Sequence, residues 1–356
     1  MPTLLRPTAF VDSPFGHDGK VARLAGGLNW FAAVELLHVE GNRRVATELV
    51  PVEGIEGRLD DETAAQWQKL TAQRPALQLG ERTIRLDQPQ VMGIVNATPD
   101  SFSDGGRFAD SNAAAQAGAE MAGQGAAIVD VGGESTRPGA KPVWEGDEIE
   151  RIVPVIRRLS QGGAAVSVDT RKADVMAAAL EAGARMVNDV SALTYDARSM
   201  GIICGSSVPI VLMHHQGAPE TMQQDPRYDD VLVEVYLWLA ERIEAAEMGG
   251  IPRERILIDP GFGFGKNVSH NLELMNGLAL FHSLGCPIVV GASRKRTIGA
   301  LSGEAPADKR LGGSIAFALK AVEQGAQILR VHDVFETVQA LKVWRGLRDQ
   351  ALTPRL

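Results

Sequence analysis

The feature that most narrows what this chain can fold into is a rhythm. From about residue 90 onward, short runs rich in β-branched residues alternate with longer stretches in which Ala, Leu, Val and Met recur at helical spacing. Parallel β/α units read this way. Eight runs can be counted: Val91 to Asn96, Ala127 to Val131, Ala165 to Asp169, Met186 to Asp189, Pro209 to Met213, Ile256 to Ile258, Pro287 to Gly291 and Ile328 to Val331. Helical spacing is carried by Asn112 to Gln124, Lys172 to Glu181, Val231 to Met248, Asn271 to Leu284 and Gly313 to Gln324. Eight strands with intervening helices predict an α/β fold closed into a (β/α)8 TIM barrel. A doubly wound sheet is the alternative, but it usually has fewer strands and a recognisable switch-point loop.

The first 80 or so residues break the rhythm. Phe31 to Val39 and Arg44 to Val50 flank Glu40-Gly41-Asn42-Arg43 as the arms of a hairpin would, and Asp61 is placed to cap a helix from Glu62 to about Gln73. Residues 1–78 are therefore expected to form an appended α+β extension and residues 79–356 the barrel, with Arg82 to Leu86 as a short plug beneath it.

Composition enters through what it excludes. A net charge of −8 without long basic runs argues against nucleic acid or a membrane surface as partner, so the expected ligand is small. Cys204 and Cys286 are too few for a disulfide framework or a thiolate metal site, which fits a reducing cytoplasm. The start, Met1 to Pro7, lacks a basic stretch followed by an apolar one, and no run of about 18 apolar residues occurs, so neither export nor a membrane span is expected.

In such a barrel the strands are apolar inside and chemistry collects where they end. This chain places polar groups at every end: Asn96, Asp130 with Glu134 beyond, Asp169, Asn188-Asp189, His214, Asp259, Ser293-Arg294-Lys295, and Arg330 with His332. One carboxylate after a strand is often only a helix N-cap. Polar groups at all of the ends point instead to a shared cavity. Asp169, Asn188 and Asp259 suit a flat heterocycle presenting several N–H donors and a carbonyl, with Lys295 to offset the buried carboxylates. Arg330, His332 and the Ser293 to Lys295 turn lie where barrels commonly hold phosphate. Sharper motifs fail. Gly261 to Lys266 would need Gly at Pro260 and Ser or Thr at Asn267 to be a Walker A loop, and it does not fit the dinucleotide fingerprint either. His214-His215 is not a zinc pair if neighbours on a strand point to opposite faces.

Two further runs are specific: Met92-Gly93-Ile94-Val95-Asn96-Ala97-Thr98-Pro99-Asp100-Ser101-Phe102-Ser103-Asp104-Gly105-Gly106 and Asp130-Val131-Gly132-Gly133-Glu134-Ser135-Thr136-Arg137-Pro138-Gly139. With Ser167-Val168-Asp169-Thr170, Asn188-Asp189-Val190, Asp259 to Lys266, Ser293-Arg294-Lys295 and Arg330-Val331-His332-Asp333, they follow in order the motifs of the dihydropteroate synthase family, which roughly Arg82 to Leu347 resembles. The resemblance implies a cytoplasmic, Mg2+-using homodimer of the folate pathway, a sulfonamide target. It would condense 7,8-dihydropterin-6-ylmethyl diphosphate with 4-aminobenzoate. On that reading Asp169, Asn188, Asp259 and Lys295 hold the pterin, while Asn96, Arg330 and His332 hold diphosphate, with Asn96 also a metal ligand. Phe102, Pro138, Phe264, Lys295 and Arg296 line the 4-aminobenzoate pocket, and Asp104, Thr136, Arg137 and Lys295 serve the chemistry.

In the implied mechanism the C–O bond breaks first and the arylamine, already neutral, traps the pterin-methyl cation. The protein must stabilise separated charge and exclude water, tasks suited to two glycine-bearing loops around Asp104 and Arg137. The alternatives are a methyltetrahydrofolate-type methyltransferase barrel, which has no use for a diphosphate grip, and a catalytically silent pterin-binding paralogue. Because every strand end lies beyond residue 90, the chemistry is expected not to need the extension.

Overall fold

The computed structural model describes residues 2–98, 106–135, 142–217 and 221–353. It opens with four strands, β1 (Thr3–Val11), β2 (Ala22–Arg23), β3 (Trp30–Glu40) and β4 (Arg43–Pro51). The central β3 pairs antiparallel with β1 along one edge and with β2 and β4 along the other, so the expected hairpin is present as β3 and β4. Successive residues of a strand point to opposite faces, and both faces of this sheet are used. Leu5, Val34 and Val50 pack with Leu70 of helix α1 (Asp61–Thr71), while Leu4, Leu37 and Val39 join the outer core of the barrel. The cap of α1 is Asp60, one residue earlier than expected. Its carboxylate accepts from the Thr63 N–H at 2.9 Å, and Thr63 Oγ1 accepts from the Asp60 N–H at 2.9 Å. The helix stops at Thr71, short of Gln73, as the chain turns out towards Pro75, whose ring disfavours helical backbone in the residue before it.

Next comes the plug, a hairpin of β5 (Leu77–Leu79) and β6 (Arg82–Ile84). Leu77, Leu79, Ile84 and Leu86 pack against Met92, Ile128, Ala165, Met186, Val211, Leu257, Val289 and Ile328 and form the barrel floor.

The barrel then runs β7 (Gln90–Asn96), α2 (Gly106–Gly123), β8 (Ile128–Gly132), α3 (Glu145–Gln161), β9 (Val166–Asp169), α4 (Ala173–Ala182), β10 (Met186–Asp189), α5 (Ser199–Gly205), β11 (Ile210–Met213), α6 (Val231–Met248), β12 (Ile256–Asp259), α7 (Val268–Asn276), β13 (Val289–Val290), α8 (Arg296–Leu301), α9 (Leu311–Glu323), β14 (Ile328–Val331) and α10 (Val334–Ala351). The strands are parallel in the order β12-β11-β10-β9-β8-β7-β14-β13. The ring closes where the Ile258 N–H donates to Pro287 O at 2.9 Å beside a parallel bridge from Ile258 to Ile288, which rules out the open sheet.

Two expectations are corrected. The helix expected from Asn271 to Leu284 breaks at Gly277 into α7 and a 3-10 turn, Leu278–Leu284, buried throughout beneath the extension. The strand expected from Pro287 to Gly291 forms a ladder only at Val289–Val290.

Candidate active site

Parity builds the site. Stepping two residues at a time up from the floor, Met92 leads to Ile94 and Asn96, Ile128 to Asp130, Ala165 to Ser167 and Asp169, Met186 to Asn188, Leu257 to Asp259, and Ile328 to Arg330 and His332. Register places Asn188 beside Asp169 and Asp130 beside Ser167. One residue set thus seals the floor, and one pleat higher five strands turn polar, at Asp130, Ser167, Asn188, Asp259 and Arg330.

Arg330 is the hub of that layer. Its Nε donates to Asp130 Oδ2 at 2.6 Å and one terminal nitrogen to Asp169 Oδ2 at 2.6 Å, while Asn188 Nδ2 donates to the same Asp130 oxygen at 3.1 Å. Burial works against the Arg330 charge, yet the two carboxylates hold its pKa above the ordinary value. The other oxygens, Asp130 Oδ1 and Asp169 Oδ1, are buried without a hydrogen bond among the described residues. Burial raises the pKa of Asp169 against the pull of Arg330, and raises that of Asp259 against the pull of Lys295. Asp259 Oδ1 accepts from the Gly261 N–H at 2.7 Å.

Asp259 opens a segment turned by Gly261, Gly263 and Gly265, each at positive φ. At Gly261 the requirement is absolute, since a Cβ there would stand 1.8 Å from His214 O. The buried Lys266 Nζ, its pKa pushed well down by burial, ties the turn down, donating to Gly261 O at 3.0 Å, Phe264 O at 3.1 Å and His214 Nδ1 at 2.8 Å. Burial, then Lys266, keep the His214 pKa well below its ordinary value, so His214 accepts as a neutral ring. Lys295 donates to Phe262 O and lies 4.3 Å from the centroid of the Phe264 ring. Burial brings its pKa down to about 8 against the opposing pull of Asp259.

The expected residues separate accordingly. Asp169, Asn188 and Arg330 meet in one hydrogen-bonded group, and Asp259, Phe264 and Lys295 cluster around the glycine turn. Asn96 ends β7 half-buried on the inward parity, and His332 Nδ1 lies 3.1 Å from Ser293 Oγ. Arg296 opens α8 with its side chain exposed. Arg294, grouped with the phosphate-holding turn, is instead bound through two nitrogens to Asp333. Asp189 is occupied by its own loop, accepting from Ser191 N at 2.7 Å and Leu193 N at 2.8 Å. Phe102, Asp104, Thr136, Arg137 and Pro138 lie outside the described residues. His214 and His215 do not face apart: both stand past the strand end, edge-on to Trp238.

Sequence reasoning placed Asp130 at a strand end but gave it no part in the ligand set, which its hydrogen bonds to Arg330 and Asn188 now supply, and it passed over Lys172. That buried ammonium donates to Glu148 at 2.6 Å, Val143 O at 2.7 Å and Glu134 at 3.0 Å, while Glu134 accepts from the Val143 N–H at 2.8 Å. Both described ends of the loop after β8 are pinned to one side chain.

Such a site can bind a planar heterocycle by its donors and stabilise charge. Residues 92–332 match the sequence profile of the family described as pterin binding enzyme. A dihydropteroate synthase of Escherichia coli is 46% identical over 262 residues, 73% of this chain and 92% of that protein. A structure of Xanthomonas albilineans dihydropteroate synthase with 4-aminobenzoic acid is similar with a TM-score of 0.74 at 48% identity, covering 79% of this chain and 100% of that one. Another from the same organism, in complex with 7,8-dihydropteroate, gives 0.71 at 46% identity, covering 78% and 100%.

Proposed function

We infer that this chain, which belongs to the pterin binding enzyme family, is a transferase with dihydropteroate synthase activity, joining 7,8-dihydropterin-6-ylmethyl diphosphate to 4-aminobenzoate and releasing diphosphate. The observation that carries the reading is the pair of buried acceptors on Asp130 and Asp169 that have no partner among the described residues, beside Asn188. Buried acceptors without donors cost stability, and the ring N–H and amino groups of a pterin supply those donors. Asp169, Asn188 and Asp259 hold the ring, with Lys295 compensating charge and contacting the acceptor beside Phe264. Asn96, His332 and the remaining nitrogen of Arg330 take the diphosphate.

Asn96 offers one neutral oxygen at its strand end, and a diphosphate brings several anionic ones, a donor set that suits Mg2+ held chiefly by substrate. When bound, the ion neutralises charge on the leaving group. The chain's own contribution is to fix the pterin-methyl carbon in a dry cavity, with Asp104 near the developing cation. Thr136, Arg137, Pro138 and Phe102 close over the arylamine beside Arg296. We place the enzyme in the cytoplasm as a homodimer. The supports are its two unpaired cysteines and an exposed apolar row, Phe335, Val343 and Leu347, along α10. Among the described residues no helix is long and apolar enough to cross a membrane.

Diphosphate release is the test. It should require both substrates and Mg2+. Binding of a pterin without release would identify a silent paralogue, and release that the arylamine neither accelerates nor converts into a pterin–arylamine product would remove the proposed reaction.

A further inference from the structure

The tip of the extension's hairpin reaches the end of the barrel where the chemistry sits. Arg44, second residue of β4, donates through Nε to Asp230 Oδ2 at 2.5 Å and through its backbone N–H to the same oxygen at 3.3 Å, and its other arm pairs with Glu273. Asp230 is the N-cap of α6, accepting from Leu232 N and Val233 N at 3.2 Å, and helices that follow barrel strands begin at the catalytic rim. Glu273 lies on α7.

Each of these elements holds the glycine-turned segment. Two residues before Asp230, the Tyr228 hydroxyl donates to Gly265 O at 2.8 Å. Two residues before Glu273, Asn271 Oδ1 accepts from the Gly263 N–H at 2.7 Å. Between those anchors stands Phe264, whose ring faces the Lys295 ammonium. The Asp230 side chain is only 7% exposed, so that arm of the clamp operates where solvent screens it poorly, whereas the Glu273 arm is 40% exposed and the weaker of the two.

We propose that Arg44 is a positioning residue for the acceptor pocket: through α6 and α7 the extension fixes the segment that carries Phe264 and receives Lys295. This rests on the reading of Phe264 and Lys295 as 4-aminobenzoate contacts. It sets aside the expectation that the chemistry does not need the extension.

The test uses the full chain with Arg44→Met and Arg44→Lys, reading both KM values and amide hydrogen exchange. Arg44→Met is expected to raise the KM for 4-aminobenzoate about fivefold while the KM for the pterin diphosphate stays within about twofold, a coupling of ordinary size for a packed network. Exchange at residues 261–266 should accelerate in the same variant. Arg44→Lys, a point charge reaching one carboxylate at a time, falls between. If Arg44→Met is insoluble, Glu273→Gln releases one arm and is read in the same way. Unchanged acceptor KM, both KM values rising together, or faster exchange confined to residues 30–51 would each overturn the proposal. An inactive wild type would instead overturn the reaction, leaving the exchange result to decide whether the extension and the glycine turn are coupled.

Discussion

Lys295 stands where burial penalises its ammonium more than Asp259 restores, so it titrates near pH 8 and not with surface lysines. Below that pH it is charged and offsets Asp259; above it the offset is lost. With the pterin diphosphate, kcat/KM is expected to fall about tenfold per pH unit above 8, and Lys295→Arg, ionised throughout, should lose that limb at a lower plateau. A pH profile flat to 10 would remove Lys295 from this role. The sign for stability is opposite: a lysine whose folded pKa is depressed costs the fold stability while protonated, a cost present below about pH 8 and relieved as pH rises towards the unfolded value. Asp169, Asn188, Asp259 and Lys295 were legible because they end strands. The roles of Asp130, itself visible at a strand end, and of Lys172 were not, because a charge near a strand end reads the same whether it caps a helix, joins a ligand layer or pins a loop. Register and contacts separate the cases.

At the scale of elements, the segment from Gly261 to Lys266 converts a strand end into a pocket wall. Gly261→Ala demands both a left-handed alanine and the displacement of His214 O. The Lys266 contacts to His214 and Phe264 should then fail together, lowering kcat/KM on the order of a hundredfold, as displacement of positioned groups by about 1 Å does. Wild-type kinetics in that variant would show the turn to be passive. The sequence displayed this segment as a glycine pattern but not its role, since φ at each glycine depends on what it packs against. Helices were legible unevenly. Residues 231–248 begin and end as expected, helped by Asp230 as cap, whereas α3 escaped notice because Pro154 and many charges interrupt its apolar spacing of Ile152, Val155, Ile156 and Leu159. The strands of the barrel were read well because a strand buried on both faces leaves a continuous apolar run.

For the whole molecule, the extension is fastened to the barrel by more than its apolar face. Arg74 donates to His282 O at 2.9 Å, Asn29 to Val322 O at 2.6 Å and Arg348 back to Leu28 O at 2.7 Å, while Leu4, Leu37 and Val39 complete the outer core. A chain beginning at Leu77 would uncover the buried turn Leu278–Leu284, and its Tm is expected to drop by on the order of 10 °C, measured by calorimetry or dye binding. An unchanged Tm would mean that the barrel is complete without its extension. These fastenings also set a timetable. The ribosome delivers the sheet before the barrel, with Leu4, Leu37 and Val39 not yet covered, and delivers Val322 and Arg348 well after it. Until the barrel has emerged past Leu284, that side of the sheet lacks the turn it docks on, and its apolar residues stay open to chaperones or to the same sheet on a neighbouring nascent chain.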